Sequence, residues 1–530
     1  MYTEGRNPVS ISFSTSSATA IASSSATQYR PLLANVTQPV VNYEVKYIPT
    51  TIPEGAVTTL GYSTYSRKGT PVTVETFKGS YIGGDLESIK KNDSDYYVVE
   101  SSKIPRTDWL TGWNYRRPIV IRERSGNSLE NYPVRIELNS SNFDFSKAKS
   151  DGSDIRFTLD DGVSEIPFYI EEWDKVSERA IVWVKINKLP GDGEVKIYMY
   201  YGNPAASLPD YATVENVFAL VGEANTVNTD ENIAKVLFQG NYSEPPIVFA
   251  SIMTFNEGDT VVSRVVERTN TYFEVRLEEY PRNDGPHAVE TVGWVALKPG
   301  MWVIGDTIWE VGVVQATHVY TTVNFDHSFS GIPIIITYIN NYNEGGFSGT
   351  PEAGAHTRQR DASNTGFQVK VEEETDTSHT FEDIGYLAIQ WNKYKRERWW
   401  TPSFPYFIYV DVYYVIGETK NKLKFEAARL YPYYYWYINN DGWEPSYWRR
   451  YYFHASFPNL PVVVFKIQSE RGGDNCHERL RNVGTSTFDF GLQETPAHDG
   501  WHTYEWGGFI AIEPGLIYGY EYVDPSPTYS

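Results

Sequence analysis

One cysteine, Cys476, stands in a chain of 530 residues. A disulfide within the chain is excluded, and so is a metal site built on several thiolates. Long apolar runs are also missing. The longest, such as PIIITYI from Pro333, have the length of a strand and fall well short of the ~18 residues a membrane helix needs. The Ser/Thr/Ala-rich start lacks the continuous apolar segment of a secretion signal, so the chain reads as soluble and unanchored. Positive charge is scarce, with 46 Lys and Arg against 67 Asp and Glu and a net charge of −21. Phosphate binding needs a basic face, so this balance argues against nucleic acid and favours neutral or basic partners. No Gly-x-Ser-x-Gly, P-loop, dinucleotide fingerprint or His-Glu-x-x-His occurs, and no carboxylate pair is singled out for glycoside hydrolysis. A non-enzymatic protein without a cofactor or metal is expected.

What the chain does have is aromatic rings and alternation. Aromatics make up 15% of the residues, including 41 Tyr and 15 Trp, and rings with a polar tip suit half-buried strands and binding surfaces. Short period-2 runs recur, bounded by Gly, Pro, Asn and Asp, and no helical period appears, so the fold class is all-β, built of tandem sandwiches. Residues 1–30 read as a Ser/Thr-rich arm in which Val9, Ile11 and Phe13 alternate with Ser, a candidate strand for docking on another subunit. Residues 31–108 read as a small β domain, and 109–210 as a sandwich.

From residue 215 the chain repeats. HAVETVGWVAL begins at His287, HTFEDIGYLAI at His379 and HTYEWGGFIAI at His502. Upstream of each lies a strand beside proline (EPPIVFASI, GIPIIITYI, NLPVVVFKI) and a hairpin carrying Phe273, Phe367 or Phe488. Arg264, Arg358 and Arg479 each stand nine residues before that Phe, and Glu279, Glu373 and Glu494 six after it. His287, His379 and His502 precede Gly293, Gly385 and Gly508 by six, and Glu290, Glu382 and Glu505 by three. The repeats are placed at 215–302, 303–395 and 447–530, with an aromatic linker at 396–446 whose densest run (428–452) reads as a packed seam, the alternative being an exposed glycan or protein contact.

Two resemblances add to this reading. The phrases WNYRRPIVI from Trp113, DGSDIRFTLDDG, IPFYIEEWD and the VKIYMYYGNPAA close resemble an uncharacterised domain family of archaeal and bacterial surface proteins. The Phe before Pro-Pro-Ile-Val, the Thr-x-x-Phe hairpin and the Gly-aromatic-aliphatic-Ala-aliphatic strand resemble the H-type lectins. That resemblance implies six-stranded sandwiches, metal-free binding of N-acetylgalactosamine-type sugars, and assembly in threes. The family's aromatic-His pair after the Phe strand survives only as Tyr280, so its sugar specificity is not carried over.

For the recurring polar residues two readings stand. Arg and Glu on neighbouring strands form cross-strand ion pairs, and a His at a strand start bonds a buried acceptor. Alternatively Arg264, Glu279, Tyr280, His287, Arg358, His379, Arg479 and His502 hold a sugar ligand. Alternation divides the motif, so Glu290, Glu382 and Glu505 are expected to bond within the fold or to a neighbouring repeat, with His and Arg nearer the rim. Three units in one chain point to an intrachain pseudo-trimer, the alternative being a homo-oligomer. Together these features lead to a virion-surface protein, a spike or fibre of a thermophilic archaeal virus that binds host glycans or glycoproteins. Such a protein would meet other virion subunits through its N-terminal arm. The alternatives are a cellular adhesin or sheath protein, and a virion subunit whose sandwiches only mediate assembly.

Overall fold

The computed structural model describes residues 109–280, 286–343, 354–373, 379–400, 407–432, 438–439, 448–495, 501–503 and 505–523, together with strands between 43 and 101. The arm at residues 1–30 lies outside the described residues. The fold is all-β and multi-domain, and the chain divides into two compact units, one holding Asn42–Val217 and the other Phe218–Ser530. Among the described residues no helix is long and apolar enough to cross a membrane.

The first unit is a sandwich. Its four-stranded sheet runs Tyr43–Tyr47, Tyr115–Glu123, Glu194–Tyr201, Arg156–Thr158, and its three-stranded sheet Leu129–Asn139, Arg179–Leu189, Phe168–Asp174. Alternation in Tyr115–Glu123 sends Ile119 and Ile121 inward, where they join Val134, Ile136, Val182, Val184 and Ile197 in the core. Tyr43–Tyr47 pairs with Tyr115–Glu123, so a strand assigned from sequence to a separate 31–108 domain completes this sheet instead. Period-2 alternation identifies a strand but not its partner.

The second unit contains three sandwiches of one topology. In the first, Ile247–Ile252, Glu290–Leu297 and Ala219–Thr229 form an inner sheet, and Ala234–Leu237, Tyr272–Glu279 and Val261–Arg268 an outer one. The second repeats this with Ile334–Ile339, Glu382–Ile389 and Thr307–Ala316 inside, and Thr321–Asn324, Gly366–Glu372 and His356–Arg360 outside. The third has Val462–Ile467, Gly507–Ile512 and Lys424–Pro432 inside, and Arg449–Tyr452, Thr487–Glu494 and Cys476–Arg481 outside. Phe273, Phe367 and Phe488 are buried at equivalent positions. Each meets the aromatic of the repeated motif edge-on, Trp294 at 5.1 Å, Tyr386 at 5.8 Å and Phe509 at 5.0 Å between ring centres.

Two boundaries move. The third sandwich takes its first strand from Lys424–Pro432, inside the stretch read as linker, and Gly300–Ile304, placed at the end of the first repeat, pairs with Thr307–Ala316 of the second. Each inner sheet thereby gains a fourth strand: Gly515–Glu521 beside Ala219–Thr229, Gly300–Ile304 beside Thr307–Ala316, and Phe407–Glu418 beside Lys424–Pro432. Gly515–Glu521 also pairs with Gly300–Ile304. The end of the chain thus returns from the third sandwich and joins the first two into one eight-stranded sheet.

The inner strands have apolar residues on both faces. Val292, Trp294 and Ala296 fill their own sandwich, while Val295 and Leu297 join Leu387, Ile389, Ile510 and Ile512 in a core shared by all three. The sandwiches therefore share part of their interior. The motif glycines stand where this approach is tightest. A Cβ on Gly385 would lie 2.2 Å from Cγ2 of Ile247 in the first sandwich, and one on Gly293 2.2 Å from Sδ of Met253. Ile247 is β-branched and held in a strand, whereas Met253 can swing aside. Gly385→Ala is expected to cost about 1–3 kcal/mol and Gly293→Ala clearly less, readable as a difference in denaturation midpoint.

Candidate functional site

The recurring Arg, Glu and His residues meet where the sandwiches join. Arg264 Nη2 of the first donates to Glu382 Oε1 of the second at 2.5 Å. Arg358 Nη2 of the second donates to Glu505 Oε1 of the third at 2.6 Å. Arg479 Nη2 of the third reaches Glu290 Oε1 of the first at 3.5 Å. The contacts run first to second, second to third and third to first, closing a ring. In each case the carboxylate also accepts a backbone N–H from its own sandwich: Asn256 to Glu290 at 2.9 Å, Asn343 to Glu382 at 3.2 Å, and Arg471 to Glu505 at 2.9 Å.

Histidine links this carboxylate to a second one. His287 lies 2.8 Å from Glu279 and 3.4 Å from Glu290; His379 lies 2.9 Å from Glu373 and 3.9 Å from Glu382; His502 lies 3.0 Å from both Glu494 and Glu505. Each junction thus brings one guanidinium and one imidazole to a pair of carboxylates, with Glu257 3.8 Å from His287 and Glu372 3.7 Å from Arg358 as further acids, and a protonated imidazole offsets part of the negative charge. Burial makes that balance matter, because an unpaired charge in the interior costs several kcal/mol. Burial opposes charging His287, but hydrogen bonds to Glu290 and Glu279 outweigh it and raise its pKa. His502 is likewise raised against burial, by the Cys476 sulfur, Glu494 and Glu505. Burial would lift Glu290 and Glu505, yet His287 and His502 with their other donors hold both below the usual carboxylate range. Glu382 goes the other way: burial prevails over Arg264 and the more distant His379, and its pKa is raised. Burial pulls Arg479 down to about 10, which leaves it charged at neutral pH.

The sequence expectation of inward Glu residues holds, and that of Arg and His near the rim does not. Arg264, Arg358, Arg479, His287, His379 and His502 are all buried. A strand-face argument treats one sandwich at a time, and the covering surface comes from the next. Tyr280 is buried as well, its hydroxyl 2.5 Å from His356 Nδ1 and its ring stacked on His477 at 5.4 Å. It therefore joins all three sandwiches and turns no open face to solvent. Glu279 keeps a side chain 10% exposed. A cavity of about 30 Å³ lies nearby, lined by Ser251, Tyr338, His356, Thr357 and Lys466 among others. It is the size for a water and too small for a saccharide.

The sequence reading missed three further buried carboxylates. Glu223, Glu310 and Glu426 stand opposite Ala296, Ala388 and Ala511 of the repeated motif. Each is capped by a tyrosine hydroxyl, from Tyr242, Tyr386 and Tyr451. The signal was a Glu followed by Ala or Val in each first strand, hidden because the third such strand was taken for linker. The aromatic run partly supports a seam: Trp448 of the third sandwich meets Phe255 of the first at 5.1 Å. Residues 433–437 and 440–447 of it lie outside the described residues.

Cys476, His502 and Glu505 come together with metal-ligand chemistry, as do Glu257, Glu279 and His287. In the first group the Arg358 guanidinium donates to both Cys476 Sγ, at 2.9 Å, and Glu505. It supplies the positive charge that a cation would bring.

The pH dependence follows from the same groups. Burial, with His356, Arg479 and Lys466 nearby, lowers His477, and burial lowers His356 in spite of Glu372. A histidine with a depressed folded pKa takes up its proton preferentially in the unfolded chain. Stability therefore falls as pH drops below the ordinary value of about 6.5. The lowered Glu290 and Glu505 add a second loss below about 4.5. The raised His287 and His502 act oppositely: their contribution is complete below about 6.5 and is lost as pH rises through their folded values. The melting temperature is expected to decline from pH 7 toward pH 4. His477→Gln, which cannot be charged, should flatten the upper part of that decline, and an unchanged slope would remove His477 as its source.

These features define an all-β unit of three fused sandwiches closed on a buried ring of charged groups. Comparison with known proteins gives two matches. Residues 151–233 match the model of a domain of unknown function, DUF2341. The match runs past Val217 into the first strand of the second unit, Ala219–Thr229. The chain is 28% identical over 174 residues to halomucin of Haloquadratum walsbyi (strain DSM 16790 / HBSQ001). That alignment covers 32% of this chain and 2% of halomucin's length. No solved structure matches.

Proposed function

We propose that the protein is a non-enzymatic, surface-displayed binding protein whose fused sandwiches attach to glycans, in the finer reading as a spike or fibre of an archaeal virus. The observation that carries this is the closed ring. The six strands common to the three sandwiches and their mutual contacts are what the lectin resemblance leads one to expect, and fusion into one chain suits a unit presented as a rigid head. The similarity to a stretch of halomucin, an archaeal protein, supports an archaeal surface setting. It favours a cell surface, and the particle reading rests on the sequence alone.

A second reading has its own support. The inward placement of seven of the eight candidate ligand residues favours sandwiches that serve assembly, with any sugar site elsewhere on the surface. A glycan panel probed with the full chain separates the two: capture by a defined subset of glycans supports attachment, and no capture supports assembly. Arg264→Ala and Tyr280→Ala are expected to lower stability rather than alter glycan selectivity, because both side chains face protein.

A further inference from the structure

Outside the ring, a cleft of about 710 Å³ opens on the third sandwich, within the range of small-ligand sites. One wall is the strand Lys393–Trp400, which pairs outside Phe407–Glu418 at the edge of the inner sheet. The other is the outer sheet of the same sandwich, around Arg450 and Arg481. Among the described residues, the first two sandwiches have no counterpart of Lys393–Trp400 in their sheets. By register, Arg450 is replaced there by Lys235 and Thr322, and Tyr452 by Leu237 and Asn324.

The lining opposes the character of the chain. Against a net charge of −21, the cleft gathers Lys395, Arg396, Arg398, Arg450 and Arg481 around only Glu397 and Asp489. Both carboxylates are engaged within the protein. Glu397 takes His454 at 2.8 Å and the Trp399 indole N–H at 2.7 Å, and Asp489 takes the two nitrogens of Arg450 at 2.6 and 3.0 Å. Each cation also has a carboxylate neighbour, Lys395 with Glu397 at 3.1 Å, Arg396 with Asp411 at 2.9 Å, and Arg450 and Arg481 with Asp489 at 2.6 and 3.8 Å, yet their side chains stay open to solvent, 58% exposed at Lys395, 47% at Arg396, 50% at Arg450 and 36% at Arg481. Aromatic rings stand among them. Trp399 is anchored against Tyr451 and Phe490, Trp448 lies 4.1 Å from the Arg481 guanidinium, and Tyr452 is exposed.

Charge on an edge strand can serve only to prevent edge pairing, but that purpose needs neither a facing basic wall nor three rings. Guanidinium forks bind carboxylate and sulfate in plane, and indole and phenol faces cover the apolar face of a pyranose. We propose that this cleft binds an acidic saccharide segment bearing carboxylate or sulfate groups. The proposal rests on the glycan-attachment reading and gives it a place and a ligand class.

The test is titration calorimetry of the full chain with hexagalacturonate, a sulfated hexasaccharide, maltohexaose and hexathymidylate. Hexagalacturonate or the sulfated sugar is expected to bind at least about tenfold more tightly than maltohexaose, and the double variant Arg398→Gln/Arg450→Gln to lose at least about tenfold, with its circular dichroism and melting temperature unchanged. Hexathymidylate binding as tightly as either acidic sugar would overturn the saccharide assignment. If a glycan panel captures the chain but the variant binds the acidic sugars as the parent does, the cleft assignment fails and the attachment reading stands. If neither the panel nor the hexasaccharides bind, both fail.

Discussion

Replacing Arg358 by alanine is expected to destabilise the protein by about 3–5 kcal/mol, the cost of leaving a partner charge buried and unpaired. The guanidinium of Arg358 donates to Glu505 at 2.6 Å and to the Cys476 carbonyl at 3.2 Å, both in the third sandwich, while Arg358 belongs to the second. Its loss leaves Glu505 with His502 but without the guanidinium, so the junction gains net negative charge. Arg122 provides the contrast. It pairs with Glu194 at side-chain exposures of 43% and 44%, and Arg122→Ala should cost less than about 1 kcal/mol. Equal costs in urea denaturation would mean that the Arg358 contact is no stronger than a surface pair.

Phe488→Ala is expected to cost a similar amount, about 3–5 kcal/mol, through a cavity. Phe488 is packed against Phe509 at 5.0 Å and against Tyr451 and Phe453, both at 5.5 Å. The two losses should differ in where they act. Hydrogen exchange should accelerate first in Thr487–Glu494 and Gly507–Ile512 for Phe488→Ala. For Arg358→Ala it should accelerate at the strands that meet across the junction, His356–Arg360 and Cys476–Arg481. Identical exchange patterns would show that the sandwiches have no separate stability.

Much of this architecture was legible because it rests on spacing. The fixed offsets among Arg264, Phe273, Glu279, His287, Glu290 and Gly293, repeated twice more, required a common unit, and alternation required strands. The pairing of those residues was less accessible. Nothing local tells Arg264 that its carboxylate lies 118 residues away at Glu382, so exposure was inferred from one strand and overturned by a neighbouring sandwich. The start of the third unit was hidden for a different reason. Lys424–Pro432 lies in a stretch dense in Tyr and Trp, whose composition masks the Glu426-Ala427 pair that matches Glu223-Ala224. The cleft on the third sandwich was illegible because Arg398 and Arg450 are far apart in the chain and neither recurs as arginine in the other two sandwiches.

The central claim is the closed ring, and its most exposed link is the one from the last sandwich to the first. Arg479 and Glu290 are 189 residues apart in sequence and both fully buried. A double-mutant cycle with Arg479→Met and Glu290→Gln, read by denaturant unfolding of the full chain, tests that link. A closed ring predicts that the double variant is less destabilised than the sum of the single variants by about 1–3 kcal/mol. Costs that add to within about 0.5 kcal/mol would contradict the ring and leave three sandwiches strung in a line.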